Sequence, residues 1–148
     1  MNCISVLCLF GSLILPVDTP IDGALSKELQ RFQGSWQATS IQSNDDPPAS
    51  VDDLKHTLLV VAGDRFTLKG KEFTIAGKLT IDPAKTPKTI DVVLDGKEGE
   101  KPVKLLGIYR IDGETRRSCF AMPEKERPAA FPVSPKGYIQ FEWKPLAR

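Results

Sequence analysis

The chain has 148 residues, with 20 Lys and Arg against 19 Asp and Glu, a formal net charge of +1 and 41% hydrophobic residues. This balance describes one globular domain and excludes both a disordered charged tail and a nucleic-acid binder that works through bulk positive charge. A single histidine, His56, and three cysteines leave no multi-histidine metal site, so neither a metal nor a cofactor is expected.

Ile4 to Leu15 is apolar apart from Ser5, Gly11 and Ser12, and it ends at Pro16 and Asp18. Its length falls short of the roughly 20 residues that a membrane-spanning helix needs. Length and position suit the apolar core of a secretory signal peptide. No Lys or Arg precedes the run, and the cleavage candidates lie around Thr19 to Ala24. The expectation is a signal peptide over 1–20, a domain over 21–148, and export to the periplasm or the medium. The alternatives are a buried N-terminal strand and an anchor that stays uncleaved, and no stable membrane span is expected in the mature chain. Cleavage would remove Cys3, Cys8 and Asp18, leaving Cys119 unable to form a disulfide within the domain.

From Asp22 to Phe32, Ala24, Leu25, Leu29 and Phe32 recur at helical spacing, with Gly34 as the stop. Ser50-Val51-Asp52-Asp53 fits a capping pattern that opens a second helical turn. Between Gly, Asp and Pro breaks, strand-forming runs occupy Ser35–Ile41, Thr57–Ala62, Arg65–Lys69, Glu72–Ile81, Thr89–Leu94, Val103–Ile111, Thr115–Met122 and Tyr138–Lys144. Gly77, inside the fourth run, reads as a bulge or bend. In the last run Ile139, Phe141 and Trp143 alternate with polar residues. Eight strands joined mostly by tight turns predict an all-β, eight-stranded antiparallel up-and-down barrel with a short N-terminal helix; a two-sheet sandwich is the alternative. Such a barrel holds packed side chains or one small ligand. If Trp36, Phe66, Phe73, Phe120, Phe141 and Trp143 all point inward, it is full.

Gly34-Ser-Trp36 opens the first strand after a short helix. Gly107-Ile-Tyr-Arg-Ile-Asp112-Gly113 precedes a strand with Cys119-Phe120-Ala121, and Glu126-Arg127-Pro128 with Phe131 follows. Together these motifs resemble the small-domain family of lipocalin-like proteins abundant in planctomycete bacteria, which are usually exported. The resemblance implies that Trp36 plugs the barrel floor beside the N-terminal helix. It also implies a basic side chain stacked on that ring, with Arg127 or Lys144 as candidates. It carries a fold and a compartment rather than a chemistry. Relatives place apolar residues where this chain has Arg116 and Ser118.

Asp112-Gly113 reads as a two-residue hairpin turn. That register pairs Ile111 with Glu114, Tyr109 with Arg116, Gly107 with Ser118 and Leu105 with Phe120, all on one face. If this face points inward, Tyr109, Arg116 and Ser118 offer polar contacts to an anionic amphiphile. Otherwise Arg116 lies at the barrel mouth, paired with Glu114 or stacked on Tyr109. Cys119 reads as a buried structural thiol, with pairing to a partner chain as the alternative. His56 beside Asp52 and Asp53 reads as surface or capping chemistry. Asp45, Asp46, Asp52 and Asp53 match no calcium loop. The long Pro123–Gly137 loop is a lid, a docking surface, or a cover locked by Arg127 with Phe131 and Pro132 over the core.

No catalytic motif is present, and the expectation is a non-enzyme. Two roles are carried forward. One is an exported barrel that binds a small apolar or amphiphilic molecule. The other is an interaction module with a filled barrel that meets an envelope protein or polymer.

Overall fold

The computed structural model describes residues 20–43, 46–131 and 136–146. The apolar run over Ile4–Leu15, Cys3, Cys8, Asp45 and Pro132 lie outside these residues. Among the described residues, no helix is long and apolar enough to cross a membrane.

Eight antiparallel strands close into a barrel in simple chain order: β1 (Gly34–Ser43), β2 (Leu58–Ala62), β3 (Arg65–Lys69), β4 (Thr74–Asp82), β5 (Thr89–Leu94), β6 (Val103–Asp112), β7 (Thr115–Ala121) and β8 (Tyr138–Pro145). Closure is made by β1, which pairs with β2 from Gly34 to Gln37 and with β8 from Trp36 to Ser43. Helix α1 (Pro20–Gln30) precedes β1, and the short α2 (Val51–Lys55) lies between β1 and β2. Ser50 caps α2 through the expected box: its hydroxyl accepts from the Asp53 amide while the Asp53 carboxylate accepts from the Ser50 amide.

The end that receives α1 is the floor, where the 63–64, 83–88 and 113–114 connections also lie. Gln33 fixes the helix there. Its side-chain nitrogen donates to the Gly63 carbonyl at 2.9 Å, and its oxygen accepts from the Gly63 amide at 2.6 Å. The other end, with α2, the 70–73 and 95–102 connections, the end of β7 and the start of β8, is the mouth.

Alternate residues of each strand point inward, as a period of two requires. Phe32, Trp36, Val61, Phe66, Ile90 and Trp143 are among the buried core residues. Phe73 does not join them, being 47% exposed at the mouth.

Two inward aromatics lie opposite glycines: Phe66 pairs with Gly77, and Phe120 pairs with Gly107. Gly77 is therefore not a bulge, because the β3–β4 register runs through it unbroken and the β4–β5 register begins at it without a shift. It is a glycine because a Cβ would lie 2.3 Å from the Val93 carbonyl oxygen and 3.0 Å from the Phe66 ring. The break in register falls in β1 instead, between Ala38 and Ser40.

The β6–β7 turn is also one residue further along than expected. Asp112 pairs with Thr115, so Gly113-Glu114 forms the turn, with Gly113 at φ +61°. A positive φ at the first central position alone suits a type II′ turn, which takes glycine there. Tyr109 consequently opposes Ser118, Ile111 opposes Arg116 and Gly107 opposes Phe120. Moving a hairpin turn by one residue shifts each partner by two, so the same side chains keep the same face.

At Gly107 a Cβ would meet the Phe120 ring at 2.6 Å and the Cys119 carbonyl oxygen at 2.7 Å. Gly107→Ala is expected to lower stability in urea unfolding by about 1–3 kcal/mol, the usual range for overpacking. Unchanged stability would contradict the close-approach account of this glycine.

Candidate functional site

The floor is built around one cation. Arg116, the second residue of β7, points inward and is 3% exposed. Its guanidinium carbon lies 4.4 Å from the ring centroid of Phe32 and 4.4 Å from that of Trp36. Trp36 is held in place by its indole N–H, which donates to the Phe32 carbonyl at 2.9 Å. The basic residue on Trp36 is thus Arg116 rather than Arg127 or Lys144. Arg127 is committed elsewhere, donating to Asp91 at 2.5 Å and to the Gly107 carbonyl at 2.8 Å. Lys144 is exposed and pairs with Gln37 in the β1–β8 ladder.

The two rings supply cation–π attraction but no hydrogen-bond acceptor. Nε and Nη1 of Arg116 are buried with no hydrogen-bond partner among the described residues, and none of those residues forms an ion pair with it. Burial alone pushes its pKa down to about 9, which still leaves it charged at neutral pH.

Above this group the lumen is not filled. A cavity of about 290 Å³ runs between the strands, and Arg116 and Ser118 are the polar residues in its lining. The remaining wall is apolar, with Leu79, Val92, Leu105, Phe120, Phe141 and Trp143 among its members. Toward the mouth the cavity shares Leu68, Ile75, Ile139 and Phe141 with an open vestibule of about 640 Å³. The vestibule rim carries Asp53, Lys71, Glu72 and Phe73. Lys71 bonds Asp52, and this contact holds the Asp52 carboxyl below its ordinary range; the Ser50 bonds do the same for Asp53.

Of the three residues expected to meet a ligand, the structure brings Arg116 and Ser118 to the cavity wall and leaves Tyr109 out of it. Tyr109 is inward and 1% exposed, but its hydroxyl donates to Glu28 of α1 at 3.1 Å. Lys88 also donates to that carboxylate, at 3.0 Å. Burial first, then the Glu28 charge and the hydrogen bond, hold the phenol well above its ordinary pKa. Phe32 packs edge-on against the Tyr109 ring, with centroids 4.9 Å apart. Tyr109 therefore binds the helix to the barrel. Phe32 is the wall residue that sequence reasoning missed. Its place at the end of the helical run Asp22–Phe32 marked it as apolar, but not as one half of a sandwich around Arg116.

The other candidates fall away from the lumen. Cys119 is wholly buried, and burial pushes its thiol up to about 11, so it stays protonated and inaccessible to a partner chain. The His56 ring is exposed, with Nδ1 at 2.7 Å from the Asp52 carbonyl. Past β7 the described residues 123–131 run down the outer wall. Arg127 bonds Gly107 there, Pro128 is buried and Arg110 lies over Phe131.

Tyr109→Phe is expected to cost about 1 kcal/mol of stability, the loss of one buried hydrogen bond, and to leave lumen binding unchanged. Weaker ligand binding at unchanged stability would place the Tyr109 hydroxyl in the site instead.

Neither a protein-family model, nor a curated protein, nor a solved structure matches the chain significantly. The resemblance drawn from Gly34-Ser-Trp36, the Gly107–Gly113 segment, Cys119-Phe120-Ala121 and Glu126-Arg127-Pro128 with Phe131 therefore rests on those motifs alone.

Proposed function

We propose that this protein is a non-catalytic, lipocalin-like carrier, exported from the cell, that holds one small apolar or amphiphilic molecule inside its barrel. The observation that carries this reading is the unfilled, largely apolar cavity in the lumen, which shares Leu68, Ile75, Ile139 and Phe141 with the vestibule at the mouth. An apolar wall with few polar groups is the usual chemistry of a small-molecule site, and about 290 Å³ lies at the small end of such sites. A barrel serving only as a scaffold gains stability from every side chain that fills it. The unfilled lumen therefore favours a carrier over an interaction module.

N-Phenyl-1-naphthylamine, an uncharged dye that brightens in apolar surroundings, tests entry to the lumen. Binding to the wild-type protein is expected. Leu105→Trp places an indole in the cavity and is expected to weaken binding at least tenfold, about 1.4 kcal/mol, with circular dichroism confirming the fold. No binding to the wild type, or equal binding to a folded Leu105→Trp, would refute the carrier reading.

A further inference from the structure

We infer that Arg116 is an anion receptor at the closed end of the lumen, and that the ligand is a medium-chain carboxylate seated head down on it with its tail toward the mouth. The inference rests on the carrier reading and adds the class and direction of the ligand.

The first observation is chemical. Arg116 is buried and lines the cavity, and two of its donors have no acceptor among the described residues. A buried charge ordinarily has a counter-charge or a set of hydrogen bonds, because leaving it unpaired costs several kcal/mol. The ring faces of Phe32 and Trp36 satisfy the charge in part, but they accept no N–H bond in the plane of the guanidinium. The nearby floor carboxylate, Glu28, is engaged by Lys88, Tyr109 and Arg31. Arg116 itself lines the cavity, so an acceptor offered by a ligand would reach the guanidinium from that side.

The second observation concerns the cavity's shape and polarity. Its polar groups belong to the Arg116 and Ser118 side chains on β7, and the rest of the lining is apolar: aliphatic and aromatic side chains and the Met122 thioether. A carboxylate matches the planar guanidinium in shape and charge. An unbranched tail matches the apolar walls that lead to Ile75, Ile139 and Phe141 at the shared neck. The reverse orientation would leave the guanidinium unpaired and bring a second charge to the apolar neck. A neutral ligand would leave the donors unsatisfied in any pose.

A purely structural role for Arg116 makes a different prediction from a receptor role. If Arg116 serves only to close the floor, removing it lowers stability. If it is kept for a ligand, an apolar side chain between the two rings leaves the unliganded protein as stable or more so.

Competition against the uncharged dye compares nonanoate with 1-nonanol, at pH 7 and below the micelle concentration, on the wild-type protein and on Arg116→Met. The wild type is expected to prefer nonanoate at least tenfold. In Arg116→Met the preference is expected to vanish through weaker nonanoate binding, with 1-nonanol within about twofold of wild type. Without ligand, Arg116→Met is expected to melt no lower than the wild type. Equal affinity of the wild type for acid and alcohol overturns the receptor inference while leaving the carrier reading intact. The same holds for a carboxylate preference that survives in Arg116→Met. A lower melting temperature in Arg116→Met with the preference unchanged makes Arg116 a floor brace only. If neither compound displaces a bound dye, the ligand class is wrong; if the dye itself does not bind, the carrier reading fails first.

Discussion

A guanidinium held out of water with no counter-charge among the described residues is the constraint around which this barrel is arranged. Transfer of an ion into a protein interior costs several kcal/mol even after relaxation. Here the offset comes from two aromatic faces, and each such contact contributes about 2 kcal/mol or more when desolvated. Phe32 arrives from the end of the N-terminal helical segment and Trp36 from the third residue of β1, so the cation ties helix to barrel. The in-plane N–H groups remain, and an unmet buried donor costs about 1–3 kcal/mol. Because the folded pKa is lowered to about 9, the charged form opposes folding at every pH below that value. Such a group weakens the empty protein, and a bound anion would remove that cost.

The same packing leaves room for an anion. Inward aromatics at Phe66 and Phe120 lie over Gly77 and Gly107 on neighbouring strands, so each ring uses space on the wall rather than in the centre. Phe141 stacks on Trp143 with centroids 5.5 Å apart, and Phe120 meets Phe141 edge-on at 6.2 Å. These rings line one side from floor to neck. Smaller aliphatic residues such as Leu79, Ile90 and Val92 face them, and the gap between is the cavity. The floor is sealed by α1, which Gln33 clips to Gly63 and Glu28 bonds to Lys88 and Tyr109. Access is left to the mouth.

The barrel was legible in the sequence because each strand is a local pattern. Arg65–Lys69 and Thr89–Leu94 begin and end where their strand-forming runs do, and Ile139, Phe141 and Trp143 show the inward face of β8 directly. Placing Tyr109, Arg116 and Ser118 on one face also depended only on parity, which survived the turn moving from Asp112-Gly113 to Gly113-Glu114. Contacts that join distant segments were not legible. Nothing near Tyr109 in the chain indicates that Glu28 takes its hydroxyl, and nothing near Trp36 selects Arg116 over Arg127 or Lys144. Gly77 likewise looked like an interruption of its own strand, whereas its cause is the Phe66 ring of the strand beside it. A rule of period two reads faces, but closure of the sheet decides which faces meet.

The most direct measurement is a crystal structure of the protein grown with nonanoate. One carboxylate is expected within hydrogen-bond distance of the Arg116 guanidinium, with a tail rising past Leu105 toward Ile75 and Phe141. A carboxylate at the vestibule with its tail pointing to the floor would contradict it. So would a lumen closed by inward collapse of its own side chains.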